Sequence, residues 1–212
     1  LRDLLALYRG WLGFGAARFL PVPIAVMRLL GRAGDLTGSG PVSTNSLQQL
    51  LAGNAGDGAA FAAATGPAPR TLESGLPDHP AQVQDRWHAR LFFLAPAVRW
   101  VLALLWFASA LAGFLYGAEW TRQFGAAAGL PPQLAELARL ATSALDVGIG
   151  LLVLLDRRGR WATLVQLAAV LGYTLVLGWF LPQLWAEPLG SLLKNLPILA
   201  LILVHGAIAD SR

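Results

Sequence analysis

The chain has 212 residues, 56% of them hydrophobic and 13% charged, with a mean hydropathy of +0.55; this is too apolar for one or two ordinary soluble domains. Zero cysteines exclude disulfides, thiolate metal sites and iron–sulfur ligation by this chain, so any redox chemistry needs a borrowed cofactor. The formal charge is +4, but the arginines are scattered or stand beside apolar runs without an interleaved aromatic stripe, which argues against a nucleic-acid partner and for a membrane surface.

Residues 1–90 hold most of the charge and many turn formers. Leu4, Leu5, Tyr8, Trp11 and Leu12 recur at helical spacing, as do Val22, Val26, Leu29 and Leu30, and no alternating strand pattern is present. Ser43 or Thr44 can cap a helix through Leu51 that stops at Gly53. "GPAPR" reads as a loop, and Thr71 opens the short helix "TLESGL". Residues 81–94, with Arg86, Trp87 and Arg90, are expected as a helix at the headgroup level before the chain turns inward. An ordinary soluble helix is the competing reading.

Four segments then meet the length test for a hydrocarbon core of about 30 Å, roughly 20 apolar residues. They are about 97–116, 137–155, 161–181 and 189–209. The predicted fold class is therefore an all-α membrane protein: a four-transmembrane-helix bundle preceded by an incomplete, helical soluble lobe. Arg157, Arg158 and Arg160 in the loop "DRRGR" put that loop in the cytoplasm, whereas the loops around Glu119/Arg122 and Glu187 carry no cationic excess. Both termini are then cytoplasmic, in a multi-pass bacterial inner-membrane protein.

The intramembrane polar residues are the candidate site. Arg139, Thr142, Ser143, Asp146 and Gly150 fall on one side of the second span, a polar and small stripe expected to face the bundle. Trp106, Ser109 and Gly113 on the first span, with Gln166 and Tyr173 on the third, are further inward candidates. Lys194, the chain's one lysine, and His205 share a face of the fourth. A lone charge at mid-membrane costs at least about 2.5–3.5 kcal/mol, so Lys194 either pairs with Asp146, helped by Asn195 and the backbone freed by Pro197, or snorkels to the outer interface, or touches a headgroup or quinone. Asp146 is either a structural carboxyl bonded to Ser143 or Thr142, or a proton-relay or ligand group. Arg99 reads as an interfacial anchor. No two histidines have zinc or haem spacing, so no metal is expected.

Two resemblances add to this. "GPAPRTLESGL", Gly66 to Leu76, resembles a late element of extended and atypical short-chain dehydrogenases. Residues 92–204, from "RWVLALLWFASALAGFLY" through "ALDVGIGLLVLL" and "LAAVLGYTLVLGWFLPQLW" to "PLGSLLKNLPILALILV", are similar to the DoxX-like membrane family. The chain opens on Leu1 without a signal pattern, and resembles the C-terminal half of a fusion with the dehydrogenase first. The division is 1–90, dehydrogenase-like substrate lobe, and 91–212, DoxX-like membrane domain.

A working short-chain dehydrogenase needs a glycine-rich turn after its first strand and a Tyr-x-x-x-Lys pair. Neither occurs: "GFGAARF" follows no strand pattern, and Gly190 stands four residues before Lys194. This chain alone is therefore expected to bind no cofactor and to catalyse no hydride transfer, NAD(P) belonging to a missing N-terminal half. The resemblances imply a membrane anchor or partner for a redox module at the cytoplasmic face. The alternatives are a quinone-interacting oxidoreductase subunit, or a structural, assembly or small transport protein. Besides the lipid bilayer, a redox partner subunit and self-association are compatible with the sequence.

Overall fold

In a computed structural model the described residues are 1–37, 43–53, 56–187 and 190–209. Among them every regular element is helical. The chain divides into two compact units, Leu1–Trp87 and His88–Arg212.

In the first unit, α1 (Arg2–Trp11) and α2 (Ile24–Thr37) form where the apolar residues recur at helical spacing. α3 (Thr44–Ala52) starts on Ser43, whose Oγ accepts from the Ser46 amide at 3.0 Å, and stops on Gly53 at φ 84°, a backbone shape that suits glycine. Asp35 of α2 accepts from the amide and the hydroxyl of Thr44, tying α3 to α2. α4 (Gly58–Thr65) has no counterpart among the expected elements; Asp57 caps it through the amides of Ala59 and Ala60. "GPAPR" is a loop, and Thr71 caps α5 (Leu72–Gly75), which passes into a 3-10 turn at Leu76–Asp78. Trp11 Nε1 donates to the His79 carbonyl at 2.7 Å, and Arg86 donates to the carbonyls of Leu12 and Gly13.

The second unit is built on long apolar helices. α6 (Val83–Tyr116) joins into one helix what the sequence divided into an interfacial helix over 81–94 and a span over 97–116. Pro96 lies inside it; a proline there forfeits one backbone bond, and the turns on either side carry the helix through. α7 (Ala118–Ala127) occupies the expected first loop. α8 (Pro132–Leu155) opens on a proline, which has no amide to leave unbonded in the first turn. α9 (Arg160–Phe180) and the short α10 (Gln183–Ala186) follow.

The fourth expected span is shorter than its apolar run. α11 covers Asn195–Ile208, 14 residues, or about 21 Å at 1.5 Å per residue. Leu189, where that span was expected to open, lies outside the described residues. The reason is Pro197, whose missing amide and ring are tolerated in a first turn but not deeper, so the helix begins just before it. Among the described residues three helices, α6, α8 and α9, are therefore long and apolar enough to cross a membrane.

These helices invert a soluble protein. Leu104, Leu137 and Leu175 are 61–70% exposed, while Asp146, Gln166 and His205 are at most 5% exposed. Leu102, Ala103 and Trp106 of α6, Ile149 and Val153 of α8, Ala162 and Val170 of α9 and Ile202 of α11 form one buried cluster. Lipid tails solvate leucine as well as another leucine does, so such helices hold together by close packing and internal hydrogen bonds. Glycines supply the close packing. A Cβ on Gly113 would collide with the Ser143 hydroxyl, one on Gly150 would lie 2.7 Å from the Phe107 ring, and one on Gly206 would lie 2.6 Å from Thr163 Oγ1.

Candidate functional site

Asp146 is the centre of the polar interior. It lies on the buried side of α8 with Ser143, Ile149, Gly150 and Val153. Because Gly113 and Gly150 remove Cβ atoms where α6 and α8 meet, Ser109 of α6 reaches the carboxylate: its Oγ donates to Asp146 Oδ2 at 2.7 Å. From α9, the Tyr173 hydroxyl donates to Oδ1 at 2.9 Å. Each oxygen thus has one hydroxyl donor, and three helices converge on one carboxyl. A second polar contact lies one turn along α6, where Trp106 Nε1 donates to Gln166 Oε1 at 2.9 Å in a fully buried setting.

The structure does not bring Lys194 to Asp146. Lys194 is exposed and occupies the N-cap position of α11, because the helix starts after it instead of enclosing it. Asn195 does turn inward, but to α9: its Nδ2 donates to Thr174 Oγ1 at 2.6 Å, and that hydroxyl donates to the Val170 carbonyl. Thr142 is exposed and bonds the carbonyls of Ala138 and Arg139 in its own helix, so it does not reach Asp146. Ser143 is buried and packs against Gly113.

Both arginines of the polar set serve helix ends. Arg99 donates through Nε to the Val153 carbonyl at 2.8 Å and through Nη2 to that of Leu154, among the last carbonyls of α8. It is a helix cap, where the sequence suggested an interfacial anchor. Arg139 does the same for α6, with Nη1 on the carbonyls of Gly113 and Phe114, and it also pairs with Glu136. A guanidinium suits this task, because the last carbonyls of a helix lack amide partners and carry the negative end of its dipole.

At the α8–α9 turn sits a cap that the charge count hid. Asp156, the one acid of "DRRGR", accepts from the amides of Ala162 at 3.0 Å and Arg158 at 3.1 Å. Desolvation tends to raise its pKa, but bonds from the backbone amides of Ala162, Arg158, Trp161 and Gly159 outweigh it and hold the carboxyl below the ordinary range. An acid shortly before an apolar helix was the available signal. His205, 2% exposed, lies nearby: a Cβ on Gly159 would be 3.9 Å from its Nδ1.

A carboxyl with two hydroxyl donors can hold and release a proton, or accept a bond from a polar ligand. Among the described residues no group of three His, Cys, Asp or Glu is placed to hold a metal ion.

No curated protein and no solved structure matches the chain. Against protein-family models, residues 103–203 match the DoxX-like family. That interval begins in α6 and ends in α11, and so takes in Asp146, Ser109, Tyr173, Trp106 and Gln166. With helices of membrane-crossing length and leucines on their outer surface, the chain has the features of a membrane protein and is similar to the DoxX-like family over residues 103–203.

Proposed function

We propose that the chain is an inner-membrane domain whose apolar helices stand as a four-span bundle and anchor, or partner, a short-chain dehydrogenase-like redox module at the cytoplasmic face. The observation that carries this reading is the inverted shell, with leucines outside and Asp146, Gln166 and His205 inside. Support for α11 as the fourth member comes from Ile202, buried in the same cluster as residues of α6, α8 and α9. The three arginines around the Asp156 turn favour that turn, and with it both termini, on the cytoplasmic side. The dehydrogenase link rests on "GPAPRTLESGL", whose loop, Thr71 cap and short helix suit the end of a substrate lobe.

The test of the redox partner is the coding sequence upstream of Leu1. A glycine-rich βαβ unit is expected there, and the longer product should gain thermal stability from NAD(P)H while residues 1–212 alone should not. An upstream region without such a unit sinks the reading.

Asp146 supports a second reading, a quinone-interacting site, because Tyr173 and Ser109 hold its carboxyl inside the bundle. A soluble quinone analogue should then raise the melting temperature of the purified protein, and Asp146→Asn should abolish the rise. An unchanged melting temperature in the parent protein removes this reading.

A further inference from the structure

On three helices residues that line the interior or bond to Asp146 recur at the same spacing: Arg99, Leu102, Trp106 and the exposed Ser109 on α6; Asp146, Ile149, Val153 and the α8 cap Asp156; Thr163, Gln166, Val170 and Tyr173 on α9. Positions i, i+3, i+7 and i+10 form one face of a helix. These faces align the Asp146 layer with the Asp156 turn, ten residues away along α8, or about 15 Å.

The polar atoms between those two levels are unlike the rest. Buried polar atoms nearly always have partners, and one left without costs about 1–3 kcal/mol. Among the described residues three buried side-chain atoms have no protein partner: Gln166 Nε2, Thr163 Oγ1 and His205 Nδ1. All three lie on the Asp156 side of Asp146. Gln166 is 0% exposed and His205 2%. Gly206 faces Thr163, and Gly159 faces His205, so these polar groups meet backbone where other residues would place a side chain. Gln166 bonds Trp106, and Ser109, one α6 turn further on, bonds Asp146; that turn rises about 4.5 Å, within the reach of one bridging water.

On the other side of Asp146 Asn195, Thr174 and Arg139 have protein partners, and the Ser143 hydroxyl is close-packed against Gly113. Asn195 bonds Thr174, Thr174 bonds the Val170 carbonyl, and Arg139 bonds Gly113, Phe114 and Glu136. The charged and titratable groups around Asp146 are Tyr173 from α9, Arg99 three turns away on α6, Arg139 and Glu136 on α8 itself, and His205 and the exposed Lys194 from α11.

We propose that Asp146 exchanges protons with the Asp156 side of the membrane alone, along a hydrated path lined by Gln166, Thr163 and His205. A proton entering at the Asp156 end passes along the waters and through the His205 imidazole, each taking one proton as it gives one up, and ends on the Asp146 carboxylate. The polar atoms that lack protein partners are satisfied by the waters that carry it. Gln166 and Thr163 are positioning residues for those waters. The path requires the bundle to stand in a bilayer, as proposed above, but no redox partner.

The full chain is reconstituted in liposomes, and molecules of one orientation are identified by an impermeant maleimide on Arg157→Cys, a unique thiol in a chain without cysteine. Dicyclohexylcarbodiimide enters the bilayer and modifies protonated carboxyls; its attachment to Asp146 is followed by mass spectrometry while each side's pH is changed in turn. The rate is expected to rise about tenfold per pH unit lowered on the Asp156 side, at pH values where Asp146 is mostly ionised, to level off once it is mostly protonated, and to ignore the other side. Gln166→Leu or Thr163→Val should slow the response about tenfold or more. A rate that follows the opposite side, or neither side, overturns the proposal, as does a response unchanged in both variants. Failure of the bilayer reading would look different: the chain would stay out of the liposomes.

Discussion

Tyr173 donates its hydroxyl to Asp146 across 2.9 Å and so locks α9 to α8 at the level where Ser109 brings in α6. The bond is part-buried at 2.9 Å. Tyr173→Phe is expected to lower stability by about 0.5–2 kcal/mol, the range for a hydrogen bond to a partly buried acceptor. In a double-mutant cycle with Asp146→Asn the two losses should fall short of additive by about 0.5 kcal/mol or more. Unfolding in mixed micelles measures both, and strict additivity would mean that the two side chains act separately.

Lys194 provides the contrast. It is exposed at the start of α11, so Lys194→Met should shift stability by no more than about 0.5 kcal/mol. Had the ammonium been the partner of Asp146, its removal would have left a buried charge unpaired and cost about 3–5 kcal/mol. The same unfolding measurement separates the two outcomes.

Asp156 predicts a pH dependence. Its carboxyl is held below the ordinary value in the folded chain; the unfolded state therefore binds the proton first, and the stabilisation is complete above the unfolded value of about 3.9 and lost as pH falls through the folded one. Asp156→Asn should cost about 0.5–2 kcal/mol near neutral pH, as for other helix caps. The gap between the melting curves of parent and variant should begin to close below about pH 3.9 and vanish only once the pH is below the lower, folded value. A gap that persisted there would place the effect in packing instead of charge.

Two glycines should respond oppositely to alanine. Gly159 has φ 66°, and a Cβ there would lie 2.5 Å from the Cβ of Ala209. The left-handed backbone alone costs alanine about 1–2 kcal/mol, and the collision adds to it. At Gly172, inside α9, a Cβ would meet nothing within 4 Å, so Gly172→Ala should gain about 0.5–1 kcal/mol. Thermal melts of the two variants test the sign in each case.

The apolar runs, the Ser43 and Thr71 caps and the stop at Gly53 were all legible in the sequence because each depends on neighbours a few residues away. Gln166 and Tyr173 were also legible as inward residues, as polar groups in segments whose other positions suit lipid, whereas Ser109, expected inward as well, is exposed and still bonds Asp146. Their partners were not. Whether Asp146 meets Tyr173 or Lys194 depends on the rotation and axial offset of helices separated by tens of residues, and a shift of one turn moves a side chain by about 5.4 Å, more than a hydrogen bond can bridge.

The linear chain therefore determined that this protein has apolar helices suited to a membrane and that Asp146, Gln166 and His205 point inward, since lipid leaves a buried polar group few other partners. Tertiary structure alone decided which groups meet: close approach at Gly113 and Gly150 sets the α6–α8 offset, and with it gives Asp146 to Ser109 and Tyr173. Pro197 fixed where α11 begins and so left Lys194 outside. Local chemistry selects the elements, but contact between distant elements assembles the site.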